Sequence, residues 1–305
     1  MKPARNFSPE RTVPSAESGG VPDPTPQYIA QAALPSIILP EPRPILVVLD
    51  LNGTLLYRAF RNRAKYIARP HAEPFLAYSA SRFRLVIWSS AQPRNVVTMC
   101  SRLLTPEARQ SVVAIWARDK FGLTRDDYTA RTQCYKRLSL LWNDAQIAAS
   151  HPLAASGGRW DQTNTVLVDD SVEKARSEPY NLVEIPEFHG DDAGLGGAEV
   201  LPQVHDYLNT LAWRSNISAY IRENKFKLQL TSTTPGPIEA IVPVTQSSDA
   251  TPLDVSEDPA QIMNNGSDFQ QVGDTNETAG DLLDDGAFVI VDEASEIPID
   301  NSKKQ

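Results

Sequence analysis

The sequence predicts an α/β domain with a doubly wound, mostly parallel sheet, and two observations support this prediction. First, four short segments are continuous apolar runs, two of which end on acidic residues, and such runs are typical of strands that helices cover on both faces. These segments span residues 45–50, 85–88, 112–116 and 165–170. Second, helical candidates lie between or after the strands, over residues 72–80, 93–104, 136–149 and 198–222, and the last of them has apolar residues at helical spacing. Alternation of strands and helices predicts a parallel sheet with helices packed against it.

Local signals place several of these elements. The first strand ends at Asp50, and Pro93 suits the first turn of the helix that begins there. The last helical segment shows the clearest spacing of apolar residues, with Val200, Leu201, Val204, Leu208, Leu211 and Ala212. Such a stripe along one face predicts a helix that packs against the sheet.

Charge and composition divide the chain into a domain and two flanking segments. Residues 231–305 contain 15 Asp and Glu against two Lys, whereas the other 230 residues carry a net charge of +4. The acidic segment has too few apolar residues to offset the entropy that a chain loses on folding. The first 41 residues are rich in proline and lack periodicity. We therefore predict a disordered N-terminal segment over 1–41, a folded domain over 42–226 and a disordered acidic tail over 227–305.

Composition also excludes several classes of protein. No apolar run approaches the ~20 residues that a membrane span needs, and the first residues lack the apolar core of a secretory signal. Glu10 and Glu17 argue against a mitochondrial presequence, because such presequences are poor in acidic residues. Cys100 and Cys134 are too few for a disulfide framework or a four-cysteine zinc site. We expect the protein in the nucleus or cytoplasm.

Polar side chains follow three of the predicted strands at the point where each strand ends. Asp50 ends the first strand, Ser89 follows the second, and Asp169-Asp170 end the fourth. In open α/β sheets, ligands bind at the carboxyl ends of the strands. The sequence therefore predicts a functional site that brings these four residues together.

The loop after the first strand has two interpretations. Asn52-Gly53 between apolar residues is a strong hairpin signal, although the preceding strand does not alternate as a hairpin strand does. Alternatively, Asp50 is a nucleophile on a strand-end loop, where Gly53 and Thr54 bind a phosphate group.

Five segments then carry a resemblance to a known family. They are VLDLNGTL at 48–55, RPHAEPFL at 69–76, IWSSA at 87–91, YKRL at 135–138 and LVDDS at 167–171. In this order they resemble the motifs of the haloacid dehalogenase superfamily. More narrowly, they resemble the NLI-interacting-factor-like and RNA polymerase II C-terminal-domain phosphatases, the FCP-homology group. The resemblance covers about residues 45–215 and implies a haloacid-dehalogenase-like fold. The short distance between the first two strands predicts a minimal cap.

The resemblance implies a phosphoryl-transfer site. Asp50 would be the nucleophile that forms an aspartyl-phosphate intermediate, while Ser89 and Lys136 would bind the phosphate. A lysine at this place would stabilise the charge that the transition state spreads over the phosphate oxygens. Each residue also has a purely structural interpretation: Ser89 could cap the next helix, and Lys136 could be a solvated surface residue.

The resemblance also implies a Mg²⁺ site. Asp170, supported by Asp169, would bind the cation together with the Asp50 carboxylate and the backbone carbonyl of Asn52. Oxygen ligands of this kind are those that Mg²⁺ prefers. The alternative is that Asp169-Asp170 form a turn or an N-cap for residues 171–177.

One residue departs from the family pattern. Asn52 stands where the family has a second aspartate, whose acid protonates the leaving group, and asparagine cannot transfer that proton. Two functions therefore stay open. The first is a Mg²⁺-dependent phosphatase that acts on a phosphoprotein or another phosphomonoester and is weakened by Asn52. The second is a catalytically weak or inactive protein-binding relative, similar to a translocase receptor or a scaffold.

The predicted partner is a phosphorylated protein segment, and no direct nucleic-acid partner is expected. In the acidic tail, residues 288–293 (FVIVDE) resemble a SUMO-interacting motif, in which a short strand adds to the edge of a partner's sheet. This segment could also fold back on its own domain or be a chance cluster.

Overall fold

A computed structural model describes residues 11–58, 66–190 and 199–229, and its centre is a parallel sheet. The strands of this sheet are β1 (Leu46–Leu49), β4 (Arg84–Trp88), β5 (Val112–Trp116), β6 (Thr165–Asp169) and β7 (Leu182–Glu184). Their order is β5-β4-β1-β6-β7, and every neighbouring pair is parallel. A separate antiparallel pair, β2 (Leu56–Arg58) and β3 (Tyr66–Ala68), follows β1. It occupies the place of the predicted minimal cap.

Helices cover both faces of the sheet, which confirms the predicted fold class. The helices are α1 (Pro26–Ala32), α2 (Ala72–Arg82), α3 (Pro93–Leu103), α4 (Pro106–Ser111), α5 (Arg125–Thr129), α6 (Leu138–Trp142), α7 (Ala145–Ala149), α8 (Val200–Ala212) and α9 (Ile217–Glu223). Buried residues of α2, α3 and α8 form one apolar layer with the sheet, and those of α6 and α7 form the layer on the other face.

The central strand β1 shows why its sequence is apolar throughout. Val47 and Leu49 belong to the layer of α2, α3 and α8, whereas Leu46 and Val48 belong to the layer of α6 and α7. All four side chains are fully buried. The hairpin interpretation of Asn52-Gly53 is wrong, because both edges of β1 pair in parallel, with β4 and β6.

Two of the predicted helices are each divided into two. The predicted segment 136–149 contains α6 and α7, and the side chain of Asp144 accepts a hydrogen bond from the Ile147 N–H at the start of α7. The predicted segment 198–222 contains α8 and α9, where Asn216 plays the same part for the Ala219 N–H. Short polar side chains that cap a helix compete with continuation of the preceding one. The pattern does not predict β7, α1, α4 or α5, because such short elements contain too few residues to show a period.

The acidic tail falls largely outside the described residues, which end at 229. The SUMO-type motif at 288–293 lies outside them as well. Among the helices that the structure describes, none combines the length and the apolarity that a membrane crossing requires.

Residues 11–41 pack against the domain, which corrects the predicted disorder for this part of segment 1–41. Residues 1–10 lie outside the described range. Thr12 forms a bridge with Thr132, and Tyr28 of α1 is 5% exposed. The Tyr28 hydroxyl donates to Asn181 Oδ1 at 2.9 Å and accepts from the Tyr180 N–H at 2.8 Å. Individual hydrogen bonds to backbone and side-chain groups hold this segment, and such contacts leave no periodic pattern in the sequence.

We expect Tyr28→Ala to destabilise the domain by about 3 kcal/mol, because it removes a buried aromatic ring. Tyr28→Phe keeps the ring and loses only the hydroxyl hydrogen bonds, so we expect a cost of about 1 kcal/mol. Urea denaturation of the full chain measures both differences. If residues 11–41 were detached from the domain, neither substitution would change the unfolding midpoint.

Candidate functional site

The carboxyl ends of β1, β4 and β6 meet at an open cleft of about 500 Å³. Leu49 of β1 pairs with Val168 of β6, so Asp50 and Asp169 become neighbours where the two strands end. Four of the predicted site residues line the cleft: Asp50, Asn52, Ser89 and Asp170. The other four are buried next to them: Gly53, Thr54, Lys136 and Asp169.

Three carboxylates form the centre of the site. Asp50, Asp169 and Asp170 each contribute an oxygen, and these oxygens lie within 4.8 Å of one another. Asp50 is 2% exposed and Asp169 is fully buried. Asp169 Oδ1 also accepts a hydrogen bond from the Ser171 N–H at 3.0 Å. Asp169 therefore both stabilises a turn, as one interpretation of the sequence has it, and belongs to the carboxylate cluster. Buried like charges at this separation repel one another and require cations nearby.

Lys136 supplies one of these cations. Its ammonium group lies 2.6 Å from Asp169 Oδ2 and 2.9 Å from Asp50 Oδ1. The side chain is fully buried. Its interpretation as a surface lysine is therefore wrong.

Lys174 supplies the second cation, and it is absent from the site residues that the sequence predicts. It lies on the 3₁₀ turn Val172–Ala175 that follows β6, and it is 5% exposed. Its ammonium group contacts all three carboxylates, at 2.7 Å from Asp50 Oδ2, 2.9 Å from Asp169 Oδ1 and 3.4 Å from Asp170 Oδ1. Its spacing of four residues after Asp170 is the only sequence signal that we find for it, and this spacing is too common to single it out.

The surroundings shift the pKa values of two carboxyl groups in opposite directions. Burial opposes ionisation of Asp50, but the ammonium groups of Lys136 and Lys174 outweigh it and lower the pKa of Asp50 to about 2. Burial raises the pKa of Asp170 to about 6; Lys174 opposes this shift, while Asp50 and Asp169 add to it. Asp50 is therefore ionised at neutral pH, as a nucleophilic carboxylate must be.

Asn52 lies at the rim of the cleft and is exposed. Its side-chain Oδ1 accepts a hydrogen bond from the backbone N–H of Arg58 in β2, at 2.9 Å. The Asn52 amide thus ties the strand-end loop to the β2–β3 pair. It provides no acidic group there.

Gly53 and Thr54, which the sequence predicts to bind phosphate, donate hydrogen bonds to other groups of the protein. Their backbone N–H groups donate to the carbonyls of Leu56 and Leu51. The Thr54 hydroxyl donates to Asp170 Oδ1 at 3.1 Å. A Cβ atom on Gly53, which has φ +88°, would lie only 2.8 Å from the Asp170 carboxylate. Both residues therefore position Asp170, and Gly53 is required because a side chain would displace that carboxylate.

Arg69 fixes the backbone of the loop after β1 through hydrogen bonds. Its guanidinium donates to the Thr54 carbonyl at 2.6 Å, the Gly53 carbonyl at 2.9 Å and the Pro186 carbonyl at 2.6 Å. Arg69 begins the predicted RPHAEPFL motif, and this network gives that arginine a structural role in fixing the loop after Asp50.

Ser89 lies at the end of β4 and is 2% exposed. Its hydroxyl oxygen accepts the Ala91 N–H at 3.3 Å. The interpretation of Ser89 as a helix cap is wrong, because α3 begins at Pro93 and Gln92 is its N-cap. The hydroxyl retains a hydrogen that it can donate to a ligand in the cleft.

The carboxylates match the ligand preference of Mg²⁺, which binds oxygen atoms. Asp50 Oδ1 is buried, and in the part of the chain that the structure describes it receives no hydrogen bond, since its contact with Lys136 lacks hydrogen-bond geometry. The donor chemistry therefore fits a hard cation. The same three carboxylates also contact Lys174, through Asp50 Oδ2, Asp169 Oδ1 and Asp170 Oδ1.

Comparison with known proteins gives one family match and several similar proteins. The family described as NLI interacting factor-like phosphatase matches residues 45–217. An uncharacterised FCP1 homology domain-containing protein of Schizosaccharomyces pombe is 31% identical over 217 residues, which cover 68% of this chain and 86% of that protein. A variant of the fission yeast RNA polymerase II CTD phosphatase Fcp1, bound to beryllium fluoride, is 11% identical over 56% of this chain and 50% of its own, with a TM-score of 0.29. CbbY from Rhodobacter sphaeroides in complex with phosphate is 12% identical over 52% of this chain and 96% of its own, with a TM-score of 0.32.

We expect Asp170→Asn to stabilise the metal-free protein more at neutral pH than in acid. Burial raises the pKa of Asp170 from 3.8 to about 6. Below pH ~4 the carboxyl group is neutral in both the folded and the unfolded protein, whereas its ionisation lowers the free energy of unfolding as pH rises through ~6. The asparagine of the variant cannot ionise, so the variant keeps its stability over this range. Its advantage over wild type should therefore grow by about 2 kcal/mol between these limits.

Urea unfolding in EDTA across this pH range measures the difference. Asp119→Asn, which removes an exposed carboxylate outside the cleft, is the matched control. A constant difference between Asp170→Asn and wild type at all pH values would contradict the prediction.

Proposed function

The chain belongs to the NLI interacting factor-like phosphatase family, and on this premise we propose that it is a Mg²⁺-dependent phosphatase. Its substrate would be a phosphorylated protein segment or another phosphomonoester. The observation that supports this most directly is the state of Asp50, an ionised carboxylate between two ammonium groups at the cleft.

Asp50 is the proposed nucleophile. One of its carboxylate oxygens forms a bond to phosphorus while the phosphorus–oxygen ester bond breaks, and the electron pair of that bond leaves with the alcohol oxygen. Water then splits the resulting aspartyl-phosphate. The buried ammonium of Lys136 holds the nucleophile and lowers the cost of the negative charge that gathers around it. Ser89 would donate its hydroxyl hydrogen to a phosphate oxygen.

The proposed cation would be held by Asp50, Asp169, Asp170 and the backbone carbonyl of Asn52. When bound, Mg²⁺ would supply positive charge to the phosphate oxygens. Thr54 and Gly53 support this role indirectly, because they fix the Asp170 carboxylate at the rim of the cluster.

Protonation of the leaving group is the step that this site supports least. An alkoxide leaving group needs a proton, and the Asn52 side chain has no acidic proton to donate. General acid catalysis is worth about 10²–10⁴-fold in rate, so we expect slow turnover of alkyl phosphates such as phosphoserine. Aryl phosphates need less help, because a phenolate leaves without protonation.

The form of the cleft favours an extended substrate. It is open, and charged side chains surround it: Arg11 and Arg58 are basic, and Glu187 is acidic. The Arg58 guanidinium also donates to Asn95 Oδ1 at 3.2 Å. Basic groups beside an open site suit a phosphorylated protein segment that lies across it.

Asn52 favours a second candidate function, a protein-binding relative with weak or no catalysis. Its amide oxygen accepts the Arg58 N–H and thus plays a structural part in the loop. Such a protein would bind a phosphorylated segment through Ser89 and the lysines and release it unchanged. The nucleus or cytoplasm as its location, and a SUMO-type partner for residues 288–293, stay predictions from the sequence.

We expect Asn52→Asp to accelerate hydrolysis of an alkyl phosphate by about 10²-fold, and to change hydrolysis of an aryl phosphate much less. The substitution restores an acid of the same size at the same place. Steady-state rates with phosphoserine peptide and p-nitrophenyl phosphate give the comparison.

Asp50→Asn in the Asn52→Asp background is the control, and it should abolish turnover of both substrates. Equal acceleration on both substrates would show that proton transfer does not limit the reaction. If neither wild type nor Asn52→Asp turns over a substrate, and both still bind a phosphopeptide, the result would favour the binding function.

A further inference from the structure

Lys174 places a positive charge at the centre of the carboxylate cluster. Its ammonium group lies 2.7, 2.9 and 3.4 Å from oxygens of Asp50, Asp169 and Asp170, the same three residues whose oxygens lie close enough to bind one metal ion. We propose that Lys174 is an internal counter-cation that competes with a divalent cation for these carboxylates. This inference rests on the metal site of the proposed function and adds a residue that controls it.

The two lysines of the site divide the carboxylate oxygens between them. Lys136 contacts Asp50 Oδ1 and Asp169 Oδ2, whereas Lys174 contacts Asp50 Oδ2 and Asp169 Oδ1. Of the two, only Lys174 also reaches Asp170. Each of the two inner carboxylates thus contacts an ammonium group at both of its oxygens. The outer carboxylate, Asp170, contacts the Lys174 ammonium as well as the Thr54 hydroxyl.

The lysines also differ in their access to solvent. Lys136 is fully buried, whereas Lys174 lines the cleft together with Asp50 and Asp170. A cation that enters from solvent meets Lys174 first. Lys136 therefore belongs to the permanent framework of the site, and Lys174 is the lysine that an entering cation would have to displace.

Electrostatics explains why the cluster needs this charge. Three carboxylates face two ammonium groups, so the cluster has a net charge of −1 with both lysines present. Without Lys174 the buried cluster would have a net charge of −2, and the domain would be less stable. A divalent cation among the same oxygens would be repelled by the Lys174 ammonium, so that the ammonium must move away for the metal to bind.

The backbone allows such a movement of the side chain alone. The Lys174 carbonyl accepts the Lys136 N–H at 2.7 Å, which ties the main chains of the two lysines together. The flexible stem of a lysine can withdraw its ammonium group toward the cleft while this bond stays intact. The consequence is a lowered affinity for metal and a metal-free state that is more stable than the carboxylates alone would allow.

The test compares metal binding, so it requires no turnover. We expect Lys174→Met in the full chain to bind Mg²⁺ about tenfold more tightly than wild type in calorimetric titration after EDTA treatment. The same variant should be less stable than wild type without metal, and Mg²⁺ should raise its melting temperature more. Lys174→Gln, which is neutral but still polar, should shift affinity in the same direction. If Lys174→Met does not fold in EDTA, Lys174→Gln provides the affinity.

Leu208→Ala is the matched control for lost stability, because Leu208 is fully buried in α8 and far along the chain from the cluster. It should lower the melting temperature and leave the Mg²⁺ affinity unchanged. Equal affinities in wild type and both Lys174 variants would overturn the competition while leaving the metal site in place. Weaker binding in the variants would overturn it as well. If neither wild type nor any variant binds Mg²⁺ at millimolar concentration, the metal site of the proposed function fails, and the inference fails with it.

Discussion

The ion pairs between Asp50 and the two lysines are the interaction on which the site depends. Burying a carboxylate costs several kcal/mol unless a cation and hydrogen bonds offset the loss of water. Asp50 and Asp169 are almost completely removed from solvent, and the ammonium groups of Lys136 and Lys174 make this possible. The same contacts keep Asp50 ionised. A feature that first satisfies a stability requirement therefore also prepares the proposed nucleophile.

The parallel sheet brings these groups together. Because β1 and β6 run side by side in the same direction, their last residues end at the same edge and Asp50 comes to lie beside Asp169. The apolar layers on both faces of the sheet exclude water from behind the site. Lys136 lies just before α6 and Lys174 lies in the 3₁₀ turn after β6, and a hydrogen bond between their main chains joins these two connections.

The loop after β1 shows how a motif can serve geometry as well as chemistry. Gly53 leaves room for the Asp170 carboxylate, the Thr54 hydroxyl donates to it, and Arg69 fixes the carbonyls of the same loop. Asn52 keeps the hydrogen-bonding part of this arrangement, since its Oδ1 accepts the Arg58 N–H. What Asn52 lacks is an acidic proton for the leaving group. The loop can thus retain its shape while the proposed reaction loses its general acid, which is why the two candidate functions share one structure.

The sequence by itself determined the central architecture and the residues at the strand ends. Strands buried on both faces must be apolar, so 45–50, 85–88, 112–116 and 165–170 reveal four of the five sheet strands, and α/β topology brings their polar last residues to one edge. Lys136 entered through the resemblance of its motif. These features depend on local pattern, and local pattern is what a sequence displays.

Only the tertiary structure decided which groups touch. Lys174, the contacts of Thr54 with Asp170, and the packing of Tyr28 each join residues through a geometry that no period or spacing records. Residues 11–41 show the same limit, because individual hydrogen bonds to backbone and side-chain groups far along the chain hold them, and their composition resembles that of a linker. Hydrophobic periodicity reports burial against a core. The pairing of particular charges and hydrogen bonds is fixed by strand register and loop geometry, which exist only once the chain has folded.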